Sequence, residues 1–244
     1  MPPPLFLKLL TAHLLGDYLL QPSRLAREKH RPDVLVLHGL AHAVLLVLVG
    51  LTEPASLSLW LALLFVLAAH SGIDAWTSRR EPRDFRLLVL DQSLHLASLL
   101  AAVAIADPAR TAGIAGALGT AAADRNLWVV ACGALIAVPA GATTVGRWVQ
   151  PFREALSDAS REQRAGLERA GRWIGMLERL LVFAAVLGRM ESLIGFVIAV
   201  KAVLRLPEAR ERWSRELAEY YLVGALASLA WALLTAFAVR ALLL

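Results

Sequence analysis

The sequence predicts an all-α fold, a polytopic membrane bundle of about eight transmembrane helices whose N-terminal four-helix half binds metal. Three observations predict it. Hydrophobic residues make up 58% of the 244 positions, above the roughly 45–50% usual in soluble domains. Apolar stretches close to the ~20 residues needed to cross a bilayer recur along the chain. Five of the six histidines fall in the pairs His13/Asp17, His38/His42, His70/Asp74 and Asp91/His95, each spaced four apart within an apolar stretch. On a helix that spacing stacks two side chains on one face, one turn apart.

The elements follow in order. The first span is expected over 5–20. Met1 to Leu5 lacks the basic start and small-residue cleavage site of a signal peptide, so it reads as the entry to this helix. The next three spans, 34–51, 57–76 and 87–106, each carry a ligand-type pair. Residues 111–123 are rich in Gly and Ala and read as a loop or partial helix. A fifth span covers 127–146 and contains Cys132, the only cysteine, expected as a small packing residue. Residues 147–172 form the longest charged link. Within it Trp148, Phe152 and Leu156 recur every four positions, the pattern of a helix lying on a membrane surface; a solvated helical linker fits as well. The last spans are 173–188, 192–206 and 217–240; the first, sixth and seventh are short. The chain thus divides into 1–106 with the His/Asp pairs, 107–172, and a three-span part, 173–244.

Charge orients the bundle. Nineteen of the 25 Lys and Arg lie in the links after spans one, three and five or at the end of span seven. Positive links stay cytoplasmic, which predicts a multi-pass protein of the bacterial inner membrane with both termini outside. The lipid bilayer is the expected partner, and no nucleic acid is. This topology places all four pairs toward the cytoplasmic leaflet, so two helical hairpins are expected to pack with their pairs converging. The alternative for any single histidine is a hydrogen-bonded core residue, but imidazoles and carboxylates within a membrane usually mark function.

Imidazole and carboxylate suit zinc, iron and manganese. Eight candidate ligands, His13, Asp17, His38, His42, His70, Asp74, Asp91 and His95, exceed the four that one zinc takes. Two divalent ions with a bridging Asp are therefore expected, zinc first and iron or manganese second; one ion with an outer layer of carboxylates is the alternative. Gln21 and Gln92 stand where they can support the ligands, and His30, in a basic link, is set aside. In the C-terminal part, Arg172, Arg179, Lys201 and Arg205 are expected to hold an anionic group, with Glu178 and Glu219 as internal partners in the alternative reading.

The motifs His13-Leu-Leu-Gly-Asp17-Tyr-Leu-Leu-Gln21, His38-x-x-x-His42, His70-x-x-x-Asp74 and Asp91-Gln92-x-x-His95 resemble an uncharacterised family of bacterial inner-membrane proteins, catalogued as a domain of unknown function. The stretches Gly171 to Arg179 and Glu219 to Gly224 also resemble its C-terminal half. More distantly, His38-x-x-x-His42 and His70-x-x-x-Asp74 are similar to motifs of membrane-bound metal-dependent hydrolases, although no acidic pair precedes the first His-x-x-x-His. The expected function is metal-dependent hydrolysis of a lipid-linked or amphiphilic anionic substrate at the cytoplasmic leaflet. Asp17, Asp74 or Asp91 would then serve as general base. The alternatives are a divalent-metal transporter and a di-iron membrane oxidase. Composition and spacing leave the oligomeric state open.

Overall fold

The computed structural model describes residues 5–21, 23–80, 84–106, 123–158, 160, 168–211 and 214–244. These residues are helical, with α1 Leu5–Leu14 running into a widened turn Leu15–Leu19, then α2 Ser23–Glu28, α3 Pro32–Gly50, α4 Leu57–Thr77, α5 Phe85–Ala106 and α6 Ala123–Leu135. A second widened turn, Ile136–Ala140, leads to α7 Gly141–Trp148, α8 Gln150–Glu154, α9 Glu168–Leu187, α10 Glu191–Glu211 and α11 Arg215–Leu243. Among the described residues, five helical stretches are long and apolar enough to cross a membrane: Pro32–Gly50, Leu57–Thr77, Phe85–Ala106, Arg125–Trp148 and Arg215–Leu243. Of the expected loop at 111–123, residues 111–122 lie outside the described residues and Ala123 begins α6.

Local chemistry sets the helix starts. Pro32 occupies the first turn of α3 after an extended Arg31, where its missing N–H costs nothing. Ser56 and Ser214 cap α4 and α11 by accepting from the N–H groups of Leu59 and Leu217 at 3.1 and 3.2 Å. Asp84 accepts from the Leu87 N–H at 2.9 Å at the start of α5.

The chain divides into two compact units, Met1–Leu135 and Ile136–Leu244. The boundary falls inside the fifth apolar stretch, not at the links near 106 and 172 where the sequence divides it. Pro139 lies in the widened turn beside it; a proline inside a helix removes a donor and forces the local geometry open.

In the first unit, α1 is buried along almost its whole length and packs against α3, α5 and α6. That explains how so short an element sits among longer ones, since a helix buried on every side need not match lipid thickness. On α3 the buried stripe Val34, His38, His42, Leu46, Val49 steps by four and three. On α4 it is Leu59, Ala62, Leu63, Val66, His70, Asp74, Thr77. One end of this bundle is apolar, with Leu9, Leu46, Val49, Leu63, Val66 and Leu99 in one core; the other end holds the polar side chains. The outward faces carry exposed Val36, Leu40, Val44 and Leu48 on α3 and Leu61 and Leu64 on α4. Such a surface is a liability in water and ordinary against lipid. Cys132 of α6 is buried beside Thr11, Sγ to Oγ1 3.1 Å, in the packing role expected of it.

Beyond the apolar core, Lys8 is buried. Its ammonium lies 2.8 Å from Glu53 Oε1 and donates to Thr52 Oγ1 at 2.9 Å. Glu53→Ala is expected to destabilise the protein by about 1–3 kcal/mol, because the Thr52 oxygens still hold the stranded charge. Lys8→Met with Glu53→Leu is expected to be near neutral. Thermal unfolding of the three proteins in detergent checks this.

In the second unit, α9 packs along α11 and pairs with α10 through a tight turn in which Arg189 takes φ 56°. Trp231 Nε1 donates to the Ile136 carbonyl at 2.9 Å, serving an oxygen in the widened turn. Trp148 and Phe152 are both exposed with ring centroids 5.8 Å apart, but Leu156 is buried. The expected continuous surface helix is broken at Val149 and ends at Ala155. Pro151 is the reason, since it cannot donate to the preceding turn.

Candidate metal centre

The polar end of the first unit is built from four elements. The turn after α1 supplies Asp17, and α1 supplies His13. The start of α3 supplies His38 and His42, the end of α4 His70 and Asp74, and the start of α5 Asp91 and His95. The turn Leu15–Leu19 is one residue per turn wider than an α-helix, with the Leu20 N–H bonded to the Leu15 carbonyl at 2.8 Å. Such insertions gather at functional sites because they re-aim one side chain; here that side chain is Asp17. Gly16 makes the approach of α3 possible. A Cβ at this position would lie 2.3 Å from His42 Nε2, so no side chain fits unless the imidazole moves.

Asp17 Oδ1 stands 3.1 Å from both His38 Nε2 and His42 Nε2 and 3.5 Å from His70 Nε2. Asp74 Oδ2 stands 3.2 Å from His38 Nε2 and from His70 Nε2. Three overlapping groups of ligand atoms result, each lying within 4.8 Å: Asp17, His38, His42 and His70; His13, Asp17 and His95; His70, Asp74 and His95. Asp17 belongs to two of them.

The arrangement is short of protons. His38 Nε2 faces Asp17 Oδ1, Asp74 Oδ2 and, at 3.1 Å, His70 Nε2, yet one N–H serves one acceptor well. His95 donates from Nδ1 to the Asp91 carbonyl at 2.9 Å. Its buried Nε2 has no hydrogen-bond partner among the described residues and turns its lone pair toward Asp74 Oδ1, 3.7 Å away. Lone pairs aimed at an anion repel unless a cation stands between them, and unpaired buried acceptors are costly.

Asp91 stands apart from the grouped ligand atoms. Its carboxylate accepts from Thr77 Oγ1 at 2.6 Å and Gln92 Nε2 at 2.9 Å and lies 3.6 Å from His95 Nδ1. That is the place of a carboxylate that orients a ligating histidine, because the α5 turn puts it behind the ring. Gln92 also accepts from His13 Nε2 at 3.2 Å, which fits its expected support role. Gln21 Nε2 is buried without a hydrogen-bond partner among the described residues, and His30 is exposed.

Lys29 joins the cluster from the link after α2. Its ammonium lies 2.7 Å from Asp74 Oδ2 and 4.0 Å from Asp17 Oδ1. Burial works against its charge, but Asp17, Asp74 and Asp91 outweigh burial and hold it above the usual lysine range. Sequence reasoning missed Lys29, Thr77 and Gly16. Lys29 is hidden in a run of basic residues; Thr77 follows His70 and Asp74 on the same stripe of α4, a spacing that could have found it.

Of the C-terminal charges expected to hold an anion, Arg179 and Lys201 are engaged within their own unit. The Arg179 guanidinium is buried, donating to Ser228 Oγ at 2.8 Å and the Val138 carbonyl at 3.3 Å. Lys201 pairs with Glu178, Arg215 with Glu219, and Arg172 is exposed. The Arg205 side chain lies outside the described residues.

Residues 5–113 match the family described as Protein of unknown function (DUF3307). The matched segment contains every residue of the cluster. No curated protein and no solved structure matches the chain.

Proposed function

We propose that the chain is a membrane-embedded, metal-dependent hydrolase that cleaves a lipid-linked or amphiphilic anionic substrate at the cytoplasmic leaflet of a bacterial inner membrane. The observation that carries this reading is the proton-poor convergence of five imidazoles and two carboxylates at one end of the first unit. His38, His42 and His70 with Asp17 would hold one divalent ion, and His95 and Asp74 with His13 nearby would hold a second. Zinc is the first choice of metal, iron or manganese the second. Metal held there would lower the pKa of a bound water and polarise the scissile bond. One of Asp17, Asp74 and Asp91 would accept the water's proton as its oxygen bonds to the phosphoryl or acyl centre, and would return that proton to the leaving oxygen as its bond breaks.

In this reading eight helices span the membrane and both termini lie outside. An alkaline-phosphatase fusion at Leu244 is expected to be active; a fluorescent cytoplasmic reporter there would overturn the orientation. The apolar core between the cluster and the Lys8–Glu53 end supports a retained ion over a permeating one. Elemental analysis of purified protein is expected to find zinc, with hydrolysis of phospholipid or polyprenyl phosphate that His38→Ala plus Asp74→Ala abolishes. Zinc flux in proteoliposomes would replace this reading with transport, and a coloured, iron-loaded protein would replace it with oxidation.

A further inference from the structure

The cluster contains one cation of its own, and its place constrains what else can enter. Lys29 bridges the two carboxylates that the metal groups need, 2.7 Å from Asp74 and 4.0 Å from Asp17. Its side chain is 13% exposed against 2% for Asp74, so it is the more accessible member of the pair. No other Lys or Arg forms an ion pair with Asp17, Asp74 or Asp91 among the described residues.

Charge then sets the loading. With the imidazoles neutral, as metal ligation requires, Asp17, Asp74 and Asp91 against Lys29 leave two negative charges. One divalent cation cancels them. A second leaves the buried cluster with two positive charges, one of them an ammonium that has lost its carboxylate. A buried excess charge is costly without a partner. The partner that matches is a dianion with several oxygens, able to bridge two metal ions and accept from an ammonium at the same time. A phosphate monoester or free phosphate has that charge and shape; a carboxylate ester or an amide has neither.

We propose that Lys29 is the anion-binding residue of this centre, and that it holds the centre to one divalent ion until a phosphate-type dianion enters with the second. This deepens the metal-centre reading above and rests on it. Lys29 releases Asp74 to the incoming ion and turns to the phosphate oxygens, so anion and second ion bind with mutual gain. Linkage makes that gain reciprocal.

The test is zinc titration of the purified full chain against a chelating indicator, alone, with inorganic phosphate, and with phosphatidic acid in the micelle. The wild-type protein is expected to hold one zinc per chain alone and two with a phosphate present, the second tightened by roughly 5–150-fold. Lys29→Gln is expected to take the second zinc without phosphate and to lose most of the coupling, whereas Lys29→Arg keeps it. Coupling to inorganic phosphate alone assigns a soluble phosphate, and coupling to phosphatidic acid alone assigns a lipid headgroup; either supports the proposal. Two zinc ions without any anion, or coupling unchanged in Lys29→Gln, would overturn the role of Lys29 and leave the metal centre standing. A wild-type protein that retains no zinc would overturn both.

Discussion

Asp74→Ala is expected to lose the second of the two divalent ions and to cost about 3–5 kcal/mol of stability. The carboxylate is buried at 2% exposure with Lys29 2.7 Å away, and it faces His38 and His70 at 3.2 Å. Removing it strips the only carboxylate from one ligand group and strands an ammonium whose remaining anion, Asp17, is 4.0 Å off. The two effects separate in a double variant. Asp74→Ala with Lys29→Met removes both buried charges together and is expected to recover most of the stability without recovering the second ion. Thermal unfolding and elemental analysis on the same preparations read the two quantities. Full metal content in Asp74→Ala would remove this carboxylate from the ligand set.

Gly16→Ala is expected to lower metal affinity by about 10–100-fold, the range seen when a ligand loses its positioning. The new Cβ would meet the His42 ring, 2.3 Å from Nε2 and 2.4 Å from Cε1. The ring cannot simply swing aside, because the His70 ring lies against it, tilted by 32° with centroids 3.7 Å apart. Either His42 leaves Asp17 or α1 and α3 separate, with an overpacking cost of about 1–3 kcal/mol. A second variant keeps the test sharp: Gly72→Ala on α4, where an added Cβ meets nothing within 4 Å, is expected to bind metal as the parent does. Metal titration of both checks the pair.

The helices were legible because apolar stretches and charged links alternate along the chain. The predicted segment 34–51 is helix Pro32–Gly50, which starts two residues earlier and ends one sooner, and 57–76 is Leu57–Thr77, one residue longer. The convergence of the histidine pairs was legible too, since four-residue spacing fixes a face and alternating helix direction fixes an end. Asp91 was not placed by the same rule. Spacing says which face it shares with His95, but only the packing of Thr77 against it decides that it stands behind the ring. The widened turn at Asp17 escaped because its cause, the approach of His42 across Gly16, is tertiary. Lys29 escaped for another reason: a pattern of charges reports which side of the membrane a link occupies, not which of its lysines folds back between helices. The exposed link fared worst, because the period of Trp148, Phe152 and Leu156 carried no weight against Pro151.

The burial of α1 has a consequence for biosynthesis. This segment leaves the ribosome before α3, α4 and α5, yet it buries Lys8, His13 and Asp17. Their partners Glu53, His38, His42 and Gln92 are all translated later. Until those arrive, these groups have no partners to pair with, and the segment is too short to span a bilayer unaided. Its settled position is therefore conferred by the hairpin and helix that follow it, so an early chain terminated before α5 would leave the first segment without a stable place.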